Sequence, residues 1–134
     1  MKTYLGLGSN LGNKKANINH AIRKIEEQVG ELIRKSDYHS SAPQGFVSDH
    51  DFVNAVALVE TNYLPLDLLR LLQGIERELG RKQKNVDGVY ADRIIDIDIL
   101  LYEDWVVDLP ELKVPHPLMK ERDFVVKPLN EILG

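Results

Sequence analysis

The 134-residue sequence predicts an α+β sandwich of the order strand, helix, strand, strand, helix, strand, with a short C-terminal appendage. Three observations predict it: apolar segments without helical periodicity, two amphipathic stretches lying between them, and a length that suits one domain. Tyr4-Leu5-Gly6-Leu7-Gly8 is a short apolar run bounded by Ser9-Asn10 and reads as a central strand, whose glycines let something approach the backbone. Ile18, Ala21, Ile22, Ile25 and Val29 recur at helical spacing, with Asn13 as N-cap and Gly30 beyond the last turn. Glu31 to Tyr38 reads as a second strand, and Phe52 to Thr61, nearly all β-branched or small apolar and broken by Asn54, as a third. Pro65 opens a second helix with Leu68, Leu72, Ile75 and Leu79 on one stripe, and Gly80 stops it. From Ile94 to Tyr102 the isoleucines Ile95, Ile97 and Ile99 face one way and Asp96 and Asp98 the other. A proline-punctuated segment, Leu109 to Pro117, and a short helix near Lys127 to Leu133 complete the chain. This order is the split βαβ pattern of ferredoxin-like domains, here a single domain over residues 1–134.

Composition narrows the function. Hydrophobic residues make up 43% and charged residues 28%, which is ordinary globular usage. Seventeen Lys and Arg against 21 Asp and Glu give a net charge of −4, which argues against a nucleic-acid binder with an extended basic face. An anionic ligand must be met by a local cluster. The chain has no cysteine, which excludes thiolate metal sites and a cysteine nucleophile and suits a reducing cytoplasm. The N-terminal apolar run is too short for a signal peptide or a membrane span, so Met1 reads as the start of the working domain.

The sharpest local feature is Arg93-Ile94-Ile95-Asp96-Ile97-Asp98-Ile99. Carboxylates two residues apart on a strand share a face about 6.6–6.8 Å apart, a spacing that can flank a pair of metal ions. Hard Mg²⁺ takes such oxygens together with waters and phosphates. A half-buried strand with a merely solvated polar face gives the same alternation. Arg81, Lys82, Lys84 and Arg93 bracket the loop that leads into this strand, and cations beside paired acids suggest a metal-phosphate site. The glycines at 6, 8 and 12 miss the dinucleotide fingerprint, and no triphosphate P-loop is present. Asn54, interrupting an apolar strand, is either a bonded structural amide or a reader of a heterocyclic edge. Phe52 projects to the same face, either to stack on such a ring or as core. Of the histidines, His116 alone has a fixed, proline-bounded setting; His20, His39 and His50 read as surface residues. The connections from Ser40 to Asp51 and from Arg81 to Arg93 are long for so small a domain and are expected to serve the site.

Taken in order, Gly8-Ser9-Asn10-Leu11-Gly12, Ala42-Pro43-Gln44-Gly45, Asp51-Phe52-Val53-Asn54-Ala55, Ile75-Glu76-Arg77-Glu78-Leu79-Gly80-Arg81, the Arg93 to Ile99 strand, Val114-Pro115-His116-Pro117 and Met119-Lys120-Glu121-Arg122-Asp123-Phe124 resemble the 6-hydroxymethyl-7,8-dihydropterin pyrophosphokinase family. The resemblance implies a ferredoxin-like fold and transfer of the pyrophosphoryl group of ATP to the pterin's hydroxymethyl group, releasing AMP, in folate biosynthesis. It implies that Asp96 and Asp98 hold two Mg²⁺ ions and that Arg81, Arg93 and Asp98 are catalytic. The pterin would meet Ser41, Pro43, Gln44, Gly45, Phe52, Asn54 and Phe124. ATP would meet Gln73, Glu76, Arg81, Lys84, Arg93, Ile99, His116 and Arg122. The expected partners are these two small molecules, with no nucleic acid and no membrane, for a cytoplasmic monomer.

The chain also departs from the family pattern. Where the family commonly has Trp-Gly-Pro-Arg, this chain has Tyr90-Ala91-Asp92-Arg93, which bears on loop stiffness and on whether an aromatic caps the substrate. Ser41 is matched to the family's threonine across a one-residue offset in Asp37 to Ser41. Two rival readings follow. A non-catalytic RNA-recognition domain shares the element order but needs a Lys/Arg-Gly-Phe/Tyr-x-Phe-type motif that is absent here. An inactive family member would bind ATP or pterin without reacting.

Overall fold

The computed structural model describes residues 1–41, 51–80, 94–117, 119 and 123–133; the side chains of Ser41, Asp123 and Phe124 lie outside the described set. Strand β1 (Lys2–Ser9) runs between β4 (Phe52–Thr61) and β5 (Asp96–Tyr102), antiparallel to both. With β2 (Gly30–Lys35) the path reads β2-β4-β1-β5, and the short β3 (His39–Ser41) also pairs with β4. This is the ferredoxin-like α+β order that the sequence predicts, with β3 added.

One face of the sheet buries Leu5, Leu7, Ala55, Ala57, Ile95, Ile97 and Ile99 against two helices. Helix α1 (Lys14–Gln28) contributes Ile18, Ala21, Ile22 and Ile25, and α2 (Pro65–Glu78) contributes Leu68, Leu72 and Ile75. Their ends follow local chemistry. The Asn13 side chain accepts from the Ala16 N–H at 3.1 Å, and Pro65 occupies the first turn of α2, where a missing N–H costs nothing. Gly30 is needed for close approach rather than as a helix stop: a Cβ there would fall 1.9 Å from the Glu60 carbonyl oxygen. α1 itself ends on Val29 in ordinary right-handed backbone.

The other face carries a second cluster, Val56, Leu58 and Leu100 against Met119, Leu129 and Ile132. The last two belong to α3 (Asp123–Ile132), so the predicted appendage is a packed layer. α3 begins at Asp123, upstream of the predicted Lys127, and carries Pro128 inside it. Two further boundaries differ from expectation. The segment predicted as one strand to Tyr38 is interrupted after Lys35, and β3 follows from His39 into the start of the predicted long connection. A hairpin, β6 (Val107–Leu109) and β7 (Leu112–Val114), turned at Pro110-Glu111, leads into the proline-punctuated segment and takes up its first half.

Candidate active site

The register of three strands builds the site. Gly8 of β1 stands opposite Asn54 on one side and Asp96 on the other, and Gly6 stands between Val56 and Asp98. Directly opposed residues share a face, so Asn54, Gly8 and Asp96 form one row about 10 Å long across three strands. Phe52 joins that face two residues before Asn54. The glycine leaves a floor into which its neighbours lean. A Cβ on Gly8 would lie 3.0 Å from Asn54 Oδ1 and 3.5 Å from Phe52 Cδ1. Asn54 is buried, and its Nδ2 donates to the His39 carbonyl at 3.4 Å.

Asp96 and Asp98 are half-buried on this same face, while Ile95, Ile97 and Ile99 point into the helix core, as the alternation predicts. β5 is an edge strand, and α2, packed on the helix-side face, reaches its backbone. The buried Glu76 carboxylate of α2 accepts the Ile97 N–H at 2.9 Å, directly between the two aspartates in sequence. Leu69, Gln73 and Glu76 share one face of α2 by their three- and four-residue spacing.

Beside this edge lies a cleft of about 220 Å³, walled by Leu69, by Ile97 to Ile99, by the β6–β7 hairpin and by His116 and Pro117. The His116 N–H donates to the Leu100 carbonyl at 3.0 Å, which pins the turn that carries its ring to β5. Lys113, also on the cleft wall, pairs with Asp108 across the hairpin and holds that carboxyl below its ordinary range. The hairpin wall has no counterpart in the sequence reading, because strands of three residues carry too few positions to show alternation.

The structure thus gathers Phe52, Asn54, Asp96 and Asp98 on one sheet face, with Glu76, Ile99 and His116 along the adjoining edge. Gln73 is half-buried on α2. Pro43, Gln44, Gly45, Arg81, Lys84, Arg93 and Arg122, the Tyr90 to Asp92 departure, and the side chains of Ser41 and Phe124 lie outside the described residues. His39, read from sequence as a surface residue, is half-buried and pairs with Glu131. Among the described residues no three His, Cys, Asp or Glu side chains gather as a metal cage, and no helix is long and apolar enough to cross a membrane.

These features define a class first: a ferredoxin-like α+β protein with Asn54, Gly8 and Asp96 in one row across three strands and a cleft beside the β5 edge. Comparison with known proteins makes the class specific. The family model described as 7,8-dihydro-6-hydroxymethylpterin-pyrophosphokinase matches residues 4–134. A 2-amino-4-hydroxy-6-hydroxymethyldihydropteridine pyrophosphokinase of Porphyromonas gingivalis is 47% identical over 130 residues, 96% of this chain and 88% of the relative. One from Aquifex aeolicus is 45% identical over 96% of this chain and 78% of its own length. Among solved structures, an HPPK-DHPS in complex with substrates superposes with a TM-score of 0.76 at 14% identity, over 98% of this chain and 40% of that one. Plasmodium falciparum HPPK-DHPS with pteroate gives 0.75 at 17% identity, over 96% of this chain and 38% of that one. The last two likenesses concern the fold, and this chain spans about two fifths of those longer chains. The chain belongs to the 7,8-dihydro-6-hydroxymethylpterin-pyrophosphokinase family. Its activity is transfer of the pyrophosphoryl group from ATP to the hydroxymethyl group of hydroxymethyldihydropterin in folate biosynthesis.

Proposed function

We propose that the reaction runs across the Asn54–Gly8–Asp96 row, with the pterin at the Phe52 and Asn54 end and ATP phosphates at the Asp96 and Asp98 end. The register supports this reading, because it puts an aromatic ring, an amide, a glycine and two carboxylates on one face. Phe124 and the Ser41, Pro43, Gln44 and Gly45 stretch complete the pterin pocket in this proposal. ATP lies along the β5 edge, its base in the cleft beside Ile99 and Leu69, with Gln73, Glu76 and His116 around it. Arg81, Lys84, Arg93 and Arg122 neutralise the phosphates, and Arg81 and Arg93 follow the transferring group.

The two aspartates suit magnesium. Two hard carboxylates on one face, both half-buried, are oxygen donors of the kind that Mg²⁺ takes together with water and phosphate oxygen. Bound by Asp96 and Asp98, two Mg²⁺ ions would neutralise phosphate charge and ease loss of the hydroxymethyl proton. The chain's own residues supply alignment. Phe52 and Asn54 fix the ring plane and edge, so that the hydroxymethyl oxygen faces the β-phosphorus in line with the departing AMP. Phosphoryl transfer gains most from such alignment and from fixed positive charge. The proposed working unit is one domain, residues 1–134, acting as a cytoplasmic monomer.

The test is Asp96→Ala and Asp98→Ala, each assayed for AMP release with Mg²⁺ titrated into chelator-treated protein. Each variant is expected to lose about a hundredfold or more in kcat while its thermal midpoint stays near that of the parent. Near-normal turnover in either variant removes the metal role from that residue.

A further inference from the structure

β2 and β3 pair with the same edge of β4, β2 against residues 57–61 and β3 against 52–54. The link through Ser36, Asp37 and Tyr38 therefore passes the edge with backbone groups outside either ladder. Ser36 settles part of this: its N–H donates to the Val56 carbonyl at 2.9 Å, and its Oγ accepts the Val56 N–H at 2.9 Å. The Asp37 N–H is taken from outside the sheet, by Glu131 Oε2 of α3 at 2.8 Å. The other oxygen of the same carboxylate pairs with His39 Nε2. One side chain thus grips both sides of the interruption, from a helix anchored by the buried Leu129 and Ile132. The Asp37 N–H first, and His39 second, hold the Glu131 carboxyl below its ordinary range, so it is ionised near neutrality.

The grip reaches Asn54 through a hydrogen bond. The His39 carbonyl accepts Asn54 Nδ2 at 3.4 Å, which leaves Asn54 Oδ1 over Gly8. Turning the amide round would set its oxygen against a carbonyl oxygen, so the His39 carbonyl favours the orientation with Oδ1 toward the floor. At that length a shift of a few tenths of an ångström in β3 breaks the bond. We propose that Glu131 is a positioning residue for pterin recognition, acting through Asp37 and His39 to fix the orientation of the Asn54 amide. The inference rests on the reading of Asn54 as a pterin contact.

Steady-state kinetics of the full chain with hydroxymethyldihydropterin and ATP test it. Glu131→Ala is expected to raise KM for the pterin about fivefold or more, with KM for ATP and kcat within about twofold. Glu131→Gln, which keeps an acceptor for the Asp37 N–H, recovers most of the loss. In an Asn54→Ala background Glu131→Ala adds nothing further, whereas a merely structural helix contact would act equally in both backgrounds. A multiplicative effect in the double variant, or equal rises in both KM values, overturns the proposal. A rise in Asn54→Ala with none in Glu131→Ala overturns the positioning role alone. No rise in Asn54→Ala overturns the pterin reading of that residue as well. If Glu131→Ala does not fold, His39→Ala and its double variant with Asn54→Ala take its place, and the same outcomes support or overturn the proposal.

Discussion

Replacing Gly8 with alanine adds one methyl group to the centre of the proposed floor. Its carbon would stand 3.0 Å from Asn54 Oδ1 and 3.5 Å from Phe52 Cδ1; the second is ordinary contact, and the first forces the amide to give by a few tenths of an ångström. Two terms oppose each other in stability. Alanine lowers the entropy of the unfolded chain, worth about 0.5–1 kcal/mol, while overpacking costs about 1–3 kcal/mol, here near the lower end because only the end of a side chain moves. The net loss is about 0–2 kcal/mol, or at most about 8 °C in thermal midpoint for a chain of this size. Recognition suffers more, because the methyl occupies the floor and displaces the amide. KM for the pterin is expected to rise about tenfold, equivalent to about 1.4 kcal/mol, with KM for ATP little changed. Gly6→Ala is the control: the three atoms nearest its Cβ would be Leu100 side-chain carbons at 3.4–3.5 Å, and KM for the pterin should stay near the parent value. AMP formation under saturation by one substrate at a time, with a thermal melt of each variant, decides the matter. A parent-like pterin KM in Gly8→Ala, or an equal rise in Gly6→Ala, refutes the floor.

Glu76→Ala leaves the Ile97 N–H without its carboxylate in a buried setting, and should cost about 1–3 kcal/mol in a denaturant melt. Glu76→Gln should recover most of that loss; equal losses in the two variants would mean that the hydrogen bond is not what matters. Acid stability should depend on Glu131. Its carboxyl lies below the free value of 4.5 in the folded protein, so its contribution is fully present above about pH 4.5 and is lost as pH falls through the folded value. Thermal midpoints from pH 6 to about pH 3 should fall less steeply in Glu131→Gln than in the parent, and superimposable acid limbs would contradict the assignment.

Much of the site was legible because it follows strand periodicity. Asp96 and Asp98 alternate with buried isoleucines, and that pattern alone puts both carboxylates on one face. Asn54 was visible as a polar break in an apolar run. What stayed hidden depends on contacts between distant segments. The row across Asn54, Gly8 and Asp96 is a matter of register, which no local pattern states. β3 lies in a polar stretch and is a strand only because the edge of β4 is there to pair with. Glu131 and His39 meet across 92 positions, so His39 looked like any surface histidine. Gly30 read as a helix stop, yet its constraint comes from a carbonyl on another strand. Pro128 lies inside α3, which starts earlier than the sequence suggests.

The most direct measurement is the nucleotide product. Protein incubated with Mg²⁺, ATP and 6-hydroxymethyl-7,8-dihydropterin should release AMP in equal amount to pterin diphosphate. ADP as the stoichiometric product, or no turnover with folded protein, would contradict pyrophosphoryl transfer.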